Sequence, residues 1–430
     1  MRDLADLTLD AMRQAGAEHA QVRMVRAENT EINISENKVT LMRTVFDNSG
    51  QLTAITQGKK GSVGVNQLTP DALREAAQTA ADMASASQSD DANAIAELEG
   101  GPTVFEDGPA EGDQNKLMDR LEEFLDALER DYPSVLAEGA VSFQRGAVLY
   151  RNTNGVDLEA RDNQYSFSFT FSAKVGEVSS SMNYTGAVSR DFDTPLMRQG
   201  GLEMLIRQSV EELQARPLGN KFTGDIILSP MCAQDFLGMY VGAFLSTTPL
   251  VAGTSVLKNK LGKSVAAKCV TVTSDPTGPD VCGYRVTSDG YRAADMTIIE
   301  NGVLKSFALS QYGALKTGKA RAANAGDMAC FRPGARPHAE LLKDVKRGLL
   351  VFRFSGGSPS ENGDISGVAK NSFYIEDGKI AFPVMETMIS GNLLTMFKNV
   401  REVSSDTIFD GSVRQPWVRV SDVVVSGTGE

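Results

Sequence analysis

Four dipeptides, Asn154-Gly155, Asp289-Gly290, Asn301-Gly302 and Asp377-Gly378, interrupt runs in which apolar and polar residues alternate. Asn or Asp followed by Gly tolerates the positive φ angles of a two-residue reversal, so each pair marks a point where an extended chain turns back on itself. TIIENGVLKSFAL and SFYIEDGKIAFPV place such a pair between two apolar alternations. A chain punctuated in this way commits much of its length to antiparallel pairing, and from Phe222 onward these signals dominate. SFSFTFSA adds a strand with one phenylalanine face and one hydroxyl face, the pattern of a half-buried sheet.

Helices are set apart from these strands. Residues 2 to 15 carry apolar positions near helical spacing and stop at Gly16. Thr69-Pro70 supplies a cap and a first-turn proline for a helix to about 86, and Thr194-Pro195 does the same for one running to about Leu213. Another helix is expected over about 114–130. EINIS, KVTLMRTVF and QLTAITQ read as a meander of three strands turned at NSG and Gly-Lys-Lys-Gly. The small, acidic and turn-forming residues of 86–112 read as a linker. Segregated helices and strands predict an α+β fold: an N-terminal part of helices and antiparallel strands, followed by a β-rich C-terminal domain. The expected divisions are 1–88, a linker at 89–112, a central α+β domain at 113–220 and the β-rich domain at 221–430.

One helix stands inside the β-rich half. In SPMCAQDFLGMYVGAFLS, Ser229 caps and Pro230 opens a run whose only strongly polar residues are Gln234 and Asp235. Its apolar residues cover more than one face, which predicts burial on several sides. Gly238 and Gly242 each cost about 1 kcal/mol of helix propensity relative to alanine. Their presence predicts a neighbour that approaches closely.

Much chemistry is excluded. A net charge of −12 gives no attraction to nucleic acid or to an anionic membrane. The first residues lack the apolar core of a leader and no run reaches membrane-spanning length, so a cytoplasmic location is expected. Cys232, Cys269, Cys282 and Cys330 form no C-x-x-C pair, and His19 and His338 have no histidine at ligand spacing. G-x-S-x-G is absent, and LGKS has Leu257 where a phosphate loop needs its first glycine. Two features remain. CFRPGARP offers Arg332 and Arg336 close to Phe331, a set that can grip a carboxylate or stack on an aromatic group. Cys330 and His338, eight residues apart, form the alternative of an independent nucleophile and base.

The blocks GSVGVNQLTPDALREAAQTAADMA, TIIENGVLKSFALSQYGALKTG, GDISGVAKNSFYIEDGKIAFPVMETMISGNLLTMFKNV and VRQPWVRVSDVVVSGT, in this order over nearly the whole chain, resemble the TldD/PmbA family, once labelled modulators of DNA gyrase. The third block joins a Gly-Asp start, an acidic-Gly hairpin, a PV-x-E turn ending at Glu386 and an SGNL segment that makes Asn392 a further peptide-binding candidate. It looks like the PmbA (TldE) branch. TldD-branch proteins carry H-E-x-x-x-H on a helix and a late cysteine as metal ligands. The matching window here is LGMYVG, with Leu237, Gly238 and Gly242 where the two histidines and the glutamate would stand, and VREVSSDTIFDGSVRQP has no cysteine. The resemblance therefore implies a chain with no catalytic or metal-binding residue and no cofactor of its own. It implies a subunit of a cytosolic metalloprotease complex whose zinc sits in a TldD-type partner and whose substrates are unfolded or extended peptides, in peptide maturation and antitoxin degradation. It also implies a possible homodimer when the chain is alone. A stand-alone module that binds a peptide strand at a sheet edge is the other alternative.

Overall fold

The computed structural model describes residues 1–385 and 387–427, so Glu386 of the PV-x-E turn lies outside the described residues. The chain opens with α1 (Arg2–Gln14) and then β1 (His19–Ser35) and β2 (Lys38–Thr56). These strands reverse at Glu36-Asn37, with φ of 50° and 61°, and β3 (Lys59–Val65) follows a second reversal at Gln57-Gly58, with φ of 53° and 71°. NSG is therefore not a turn: Ser49 and Gly50 continue the pairing of β2 with β1. Gly50 is needed for packing instead, since a Cβ there would lie 2.9 Å from Val65. α2 (Pro70–Ala86) is capped by Thr69 as expected. Then come β4 (Thr103–Asp107), α3 (Gln114–Asp131), β5 (Val135–Asn152), β6 (Asp157–Val175), β7 (Val178–Ser179) and β8 (Asn183–Ser189).

All eight strands form one sheet, in the order β3-β2-β1-β5-β6-β4 with β7 and β8 also on β6. The segments expected as separate domains at 1–88 and 113–220 thus share a sheet, because β1 pairs with β2 on one edge and with β5 on the other. The expected linker supplies β4, which runs parallel to β6. On one face Ala20, Val22 and Met24 pack under α1 and α2, and Ile32 and Ile34 pack under α3. Phe167, Phe169 and Phe171 of the SFSFTFSA strand are buried in the second of these cores, with Phe169 stacked on Phe124 of α3 at 4.6 Å. The helix expected from Thr194 is broken. Gly200 and Gly201 take φ of 55° and 72°, leaving a 3-10 turn at Leu196–Arg198 and then α4 (Leu202–Glu211).

The C-terminal half is built on a ten-stranded sheet. Its long strand Arg414–Ser426 pairs with Phe222–Leu228, Val400–Phe409 and Thr387–Asn392, and Phe222–Leu228 pairs in parallel with Arg347–Val351. A four-stranded sheet carries Ala329–Phe331 on the edge beside Val272–Ser274. Asn301-Gly302 and Asp377-Gly378 form the expected two-residue reversals, with φ of 49° and 79°, and 46° and 75°. Asp289-Gly290 turns without joining two strands. Gly290 instead admits the ring of Tyr150, whose nearest atom would lie 2.0 Å from a Cβ. The fold is α+β, with helices laid on curled, largely antiparallel sheets. No helix among the described residues is long and apolar enough to cross a membrane.

Candidate functional site

The helix of Ser229–Ser246 becomes α5 (Pro230–Tyr240) followed by one π turn, Val241–Leu245. The Ser229 hydroxyl accepts from the Cys232 amide at 3.2 Å and donates to the Phe352 carbonyl at 3.0 Å, which fixes where the helix leaves the sheet. At the other end Tyr240 donates to the Val265 carbonyl at 3.3 Å and stacks on Phe397 at 4.0 Å. Burial on several sides is observed for Cys232, Ala233, Phe236, Leu237, Tyr240 and Phe244.

The glycines are placed otherwise than expected. Gly238 and Gly242 lie on the surface, and a Cβ built on either meets nothing within 4 Å. Among the described residues no neighbour approaches them. Leu237, in contrast, is fully buried in the main core. The three positions of the LGMYVG window therefore do not face one space: a histidine at 237 would enter apolar packing while 238 and 242 look outward. Among the described residues no three His, Cys, Asp or Glu side chains converge so as to hold a metal ion. The donor set of a catalytic zinc, three side chains around one open position, does not fit the residues present on α5.

Two cavities share Val413 as a lining residue, and the N-terminal part of this helix walls the smaller of them. The smaller, about 210 Å³, is lined by Gln234, Asp235, Met204, Ile408 and Asp410. The protein crowded around Asp235 raises its carboxyl above the usual carboxylate range, with Arg353 opposing the shift. The larger, about 490 Å³, is lined by Thr273, Asp275, Cys330, Arg332, Phe409 and Arg414 among others. Arg332 meets Asp275 at 3.2 Å, and the Arg414 guanidinium lies 4.3 Å from the centre of the Phe409 ring. A polar relay ties both cavities to α5. Gln415 donates to Gln234 at 2.8 Å and accepts from the Phe331 amide at 2.9 Å. Opposed charges, aromatic edges and hydroxyls along an open cleft suit an extended chain that carries its own donors and acceptors.

The structure brings only some of the expected residues together. Phe331 and Arg332 both line the larger cleft, although Phe331 is buried. Arg336 is elsewhere and occupied, held by Glu340 at 3.2 Å and by Asp344 and Glu402 at 2.9 Å each. It has no fork left for a peptide carboxylate. Asn392 caps the short helix Leu393–Lys398 by accepting from the Thr395 amide at 3.2 Å, and it donates to the Asn362 carbonyl at 2.8 Å and to Asp364 at 3.0 Å. Its role is local. Cys330 and His338 hold different partners: the sulfur lies 3.7 Å from Thr273 Oγ1, while His338 bonds Asp406 and stacks on Trp417 at 4.7 Å. Burial pushes the Cys330 thiol up, opposite to what an activated nucleophile needs. Sequence reasoning missed Gln415 and Arg414 as lining residues. The polarity of Gln234 and Asp235 in an otherwise apolar helix was the available signal, since two such residues must face something other than the core.

Comparison with known proteins agrees with this architecture. The model for the PmbA/TldA metallopeptidase C-terminal domain matches residues 222–427, and that for PmbA/TldA metallopeptidase domain 1 matches residues 20–84. The Escherichia coli O157:H7 protein named Metalloprotease PmbA is 26% identical over 97% of this chain and 96% of its own. A Methanothermobacter thermautotrophicus protein named Metalloprotease is 32% identical, over 53% of this chain and 58% of its own. The crystal structure of TldE from Thermococcus kodakarensis superposes with a TM-score of 0.83 at 19% identity, covering 99% of this chain and 100% of that one. At that identity the likeness speaks to the fold. With family models matched at both ends and a PmbA relative aligned along nearly the whole length, the chain belongs to the PmbA/TldD family.

Proposed function

We propose that this chain is a non-catalytic, PmbA/TldE-type subunit that holds unfolded or extended peptides for a metal-bearing TldD-type partner. The observation that carries the reading is the contrast on and around α5: glycines and a buried leucine fill the motif window, while a cleft of about 490 Å³ with charged and aromatic walls opens beside it. Arg332, anchored by Asp275, and Arg414, laid on Phe409, would meet peptide carbonyls or acidic side chains. Asp275, Asp280 and Asp295, which also line the cleft, would meet its donors. Alone, the subunit forms a homodimer. Hydrolysis itself needs the partner's metal, which activates water at neutral pH.

The test is hydrolysis of an unstructured reporter peptide by this chain alone, by a TldD-type sibling alone and by the mixture, each with zinc and with chelator. Efficient chelator-sensitive hydrolysis is expected only in the mixture, and Arg332→Ala with Arg414→Ala should raise the mixture's KM for the reporter about tenfold while leaving kcat nearly unchanged. Hydrolysis by this chain alone, in a preparation free of the sibling, would overturn the reading.

A further inference from the structure

The sheet of the N-terminal half ends in an open edge. Among the described residues β2 has a second neighbour only from Gly50 to Thr56, where β3 pairs with it, and residues 38–47 are exposed on both faces. Val39, Leu41, Met42, Val45 and Phe46 are all large, apolar and at least 41% exposed, and Phe46 reaches 68%. Long exposed apolar edges are templates for another strand. We infer that the β2 edge pairs antiparallel with the β2 edge of a second copy of this chain, about a two-fold axis through Val45.

The register follows from the sequence of the strand. The pairing of β1 with β2 slips between Asn33 and Ile34, leaving Thr40 as a bulge, so regular alternation on the open edge begins at Leu41 and runs to Ser49. An antiparallel pair related by a two-fold axis must place one residue opposite itself, because paired positions share a face. With Arg43 on the axis, two guanidinium groups would face each other. With Thr44 there, Leu41 would oppose Asp47. With Val45 there, Arg43 of each copy opposes Asp47 of the other, twice by symmetry, and Thr44 opposes Phe46. Arg43 and Asp47 stand on one face, opposite Glu31 and Ala27 of β1. Among the described residues Arg43 pairs with Glu31 at 2.5 Å, whereas Asp47 has no cation beside it. In this register Thr40 lies opposite the other copy's Gly50, where β3 ends at Val65, and the bulge there bends each hairpin tip aside so that the two edges meet without collision. This rests on the homodimer of the proposed function and names its surface.

The test uses the full chain at micromolar concentration, with mass read by light scattering or sedimentation. A dimer is expected. Asp47→Arg, at an exposed position, should weaken it about tenfold or more by setting arginine against arginine, and adding Arg43→Asp should restore it to within about threefold. In a Cys269→Ser background, which removes the exposed native thiol, Val45→Cys should cross-link on mild oxidation. Leu41→Cys should not, since its copies would lie about 27 Å apart at eight residues of strand rise. A monomer would overturn the homodimer together with this surface. A dimer that is indifferent to Asp47→Arg and does not cross-link at 45 would overturn the surface alone and leave the homodimer standing.

Discussion

α2 and α5 begin with the same device, a hydroxyl cap and a proline, and each is associated with glycine where a larger residue would be unremarkable. Their surroundings are opposite. Gly61 of β3 lies against α2 so tightly that a Cβ would come within 2.1 Å of the Ala80 carbonyl and 2.5 Å of the Ala84 amide. α2 answers with a row of small buried residues, Ala76, Ala77, Ala80, Ala81 and Ala84. Helix and sheet approach because β3 presents no side chain at Gly61 and α2 presents little more than methyl groups, so that strand and helix backbones come into van der Waals contact. On α5 and the π turn that follows it, Gly238 and Gly242 have nothing within 4 Å of a built Cβ among the described residues. A small residue therefore marks a close approach only where a second element supplies the other surface.

The strongest test of this difference is on the α2 side. Gly61→Val would drive two methyl groups into the backbone of α2, and backbone cannot move aside as a flexible side chain can. Destabilisation of about 3 kcal/mol is expected, the upper part of the range for overpacking. Chemical denaturation of the variant checks it. A loss below about 1 kcal/mol would mean that α2 shifts without cost and that the close approach does not hold the two layers together.

How far the sequence could be read depends on how local each cause was. Asn301-Gly302 and Asp377-Gly378 were legible because the reversal is decided by the two residues themselves. The reversal at Glu36-Asn37 was not, since that pair lacks the Asn-Gly or Asp-Gly sequence of a two-residue turn, whereas the one expected at Gly-Lys-Lys-Gly falls one residue earlier, at Gln57-Gly58. The single sheet of the N-terminal half depends on β1 meeting β5 across more than a hundred residues of chain, and no pattern within either strand specifies that pairing. At the site, Phe331 and Arg332 were found beside the cleft because they adjoin a short strand. Arg336, five residues after Phe331, was misread because its three carboxylate partners come from Glu340, Asp344 and the distant Glu402. The glycines of α5 were misread for the same reason: helix propensity registers their cost but not what stands opposite.

The α5 side of the comparison predicts an effect of opposite sign and smaller size. Gly238→Ala and Gly242→Ala add a methyl group where nothing lies within 4 Å. Each should stabilise, Gly238→Ala by about 1 kcal/mol, the full helix propensity difference, and Gly242→Ala by somewhat less because it lies in the π turn. The pair should raise the melting temperature by roughly 2–4 °C, as expected for a chain of this size or slightly less. If either variant is destabilised, an element approaches α5 after all.

The smallest effect concerns the one acid on the open face of α5. Asp235 stands at the wall of the smaller cavity, and the surrounding protein raises its carboxyl while Arg353 pulls the other way. A carboxyl whose folded pKa lies above its unfolded value holds more protons in the folded state, so stability falls as pH rises between the two values and is level above them. Asp235→Asn removes that slope. Relative to the natural chain, the variant should match near pH 3, below the unfolded value of about 3.8, and become more stable once pH passes the folded value. Because solvent reaches this side chain, the gain at neutral pH should stay below about 0.5 kcal/mol. Denaturation midpoints of both proteins from pH 3 to 8 would show the difference opening upward with pH. A difference that opens downward instead would mean that Arg353 outweighs the crowding and stabilises the carboxylate, which would make the α5 wall a formed ion pair and leave the glycines as the only open part of the helix.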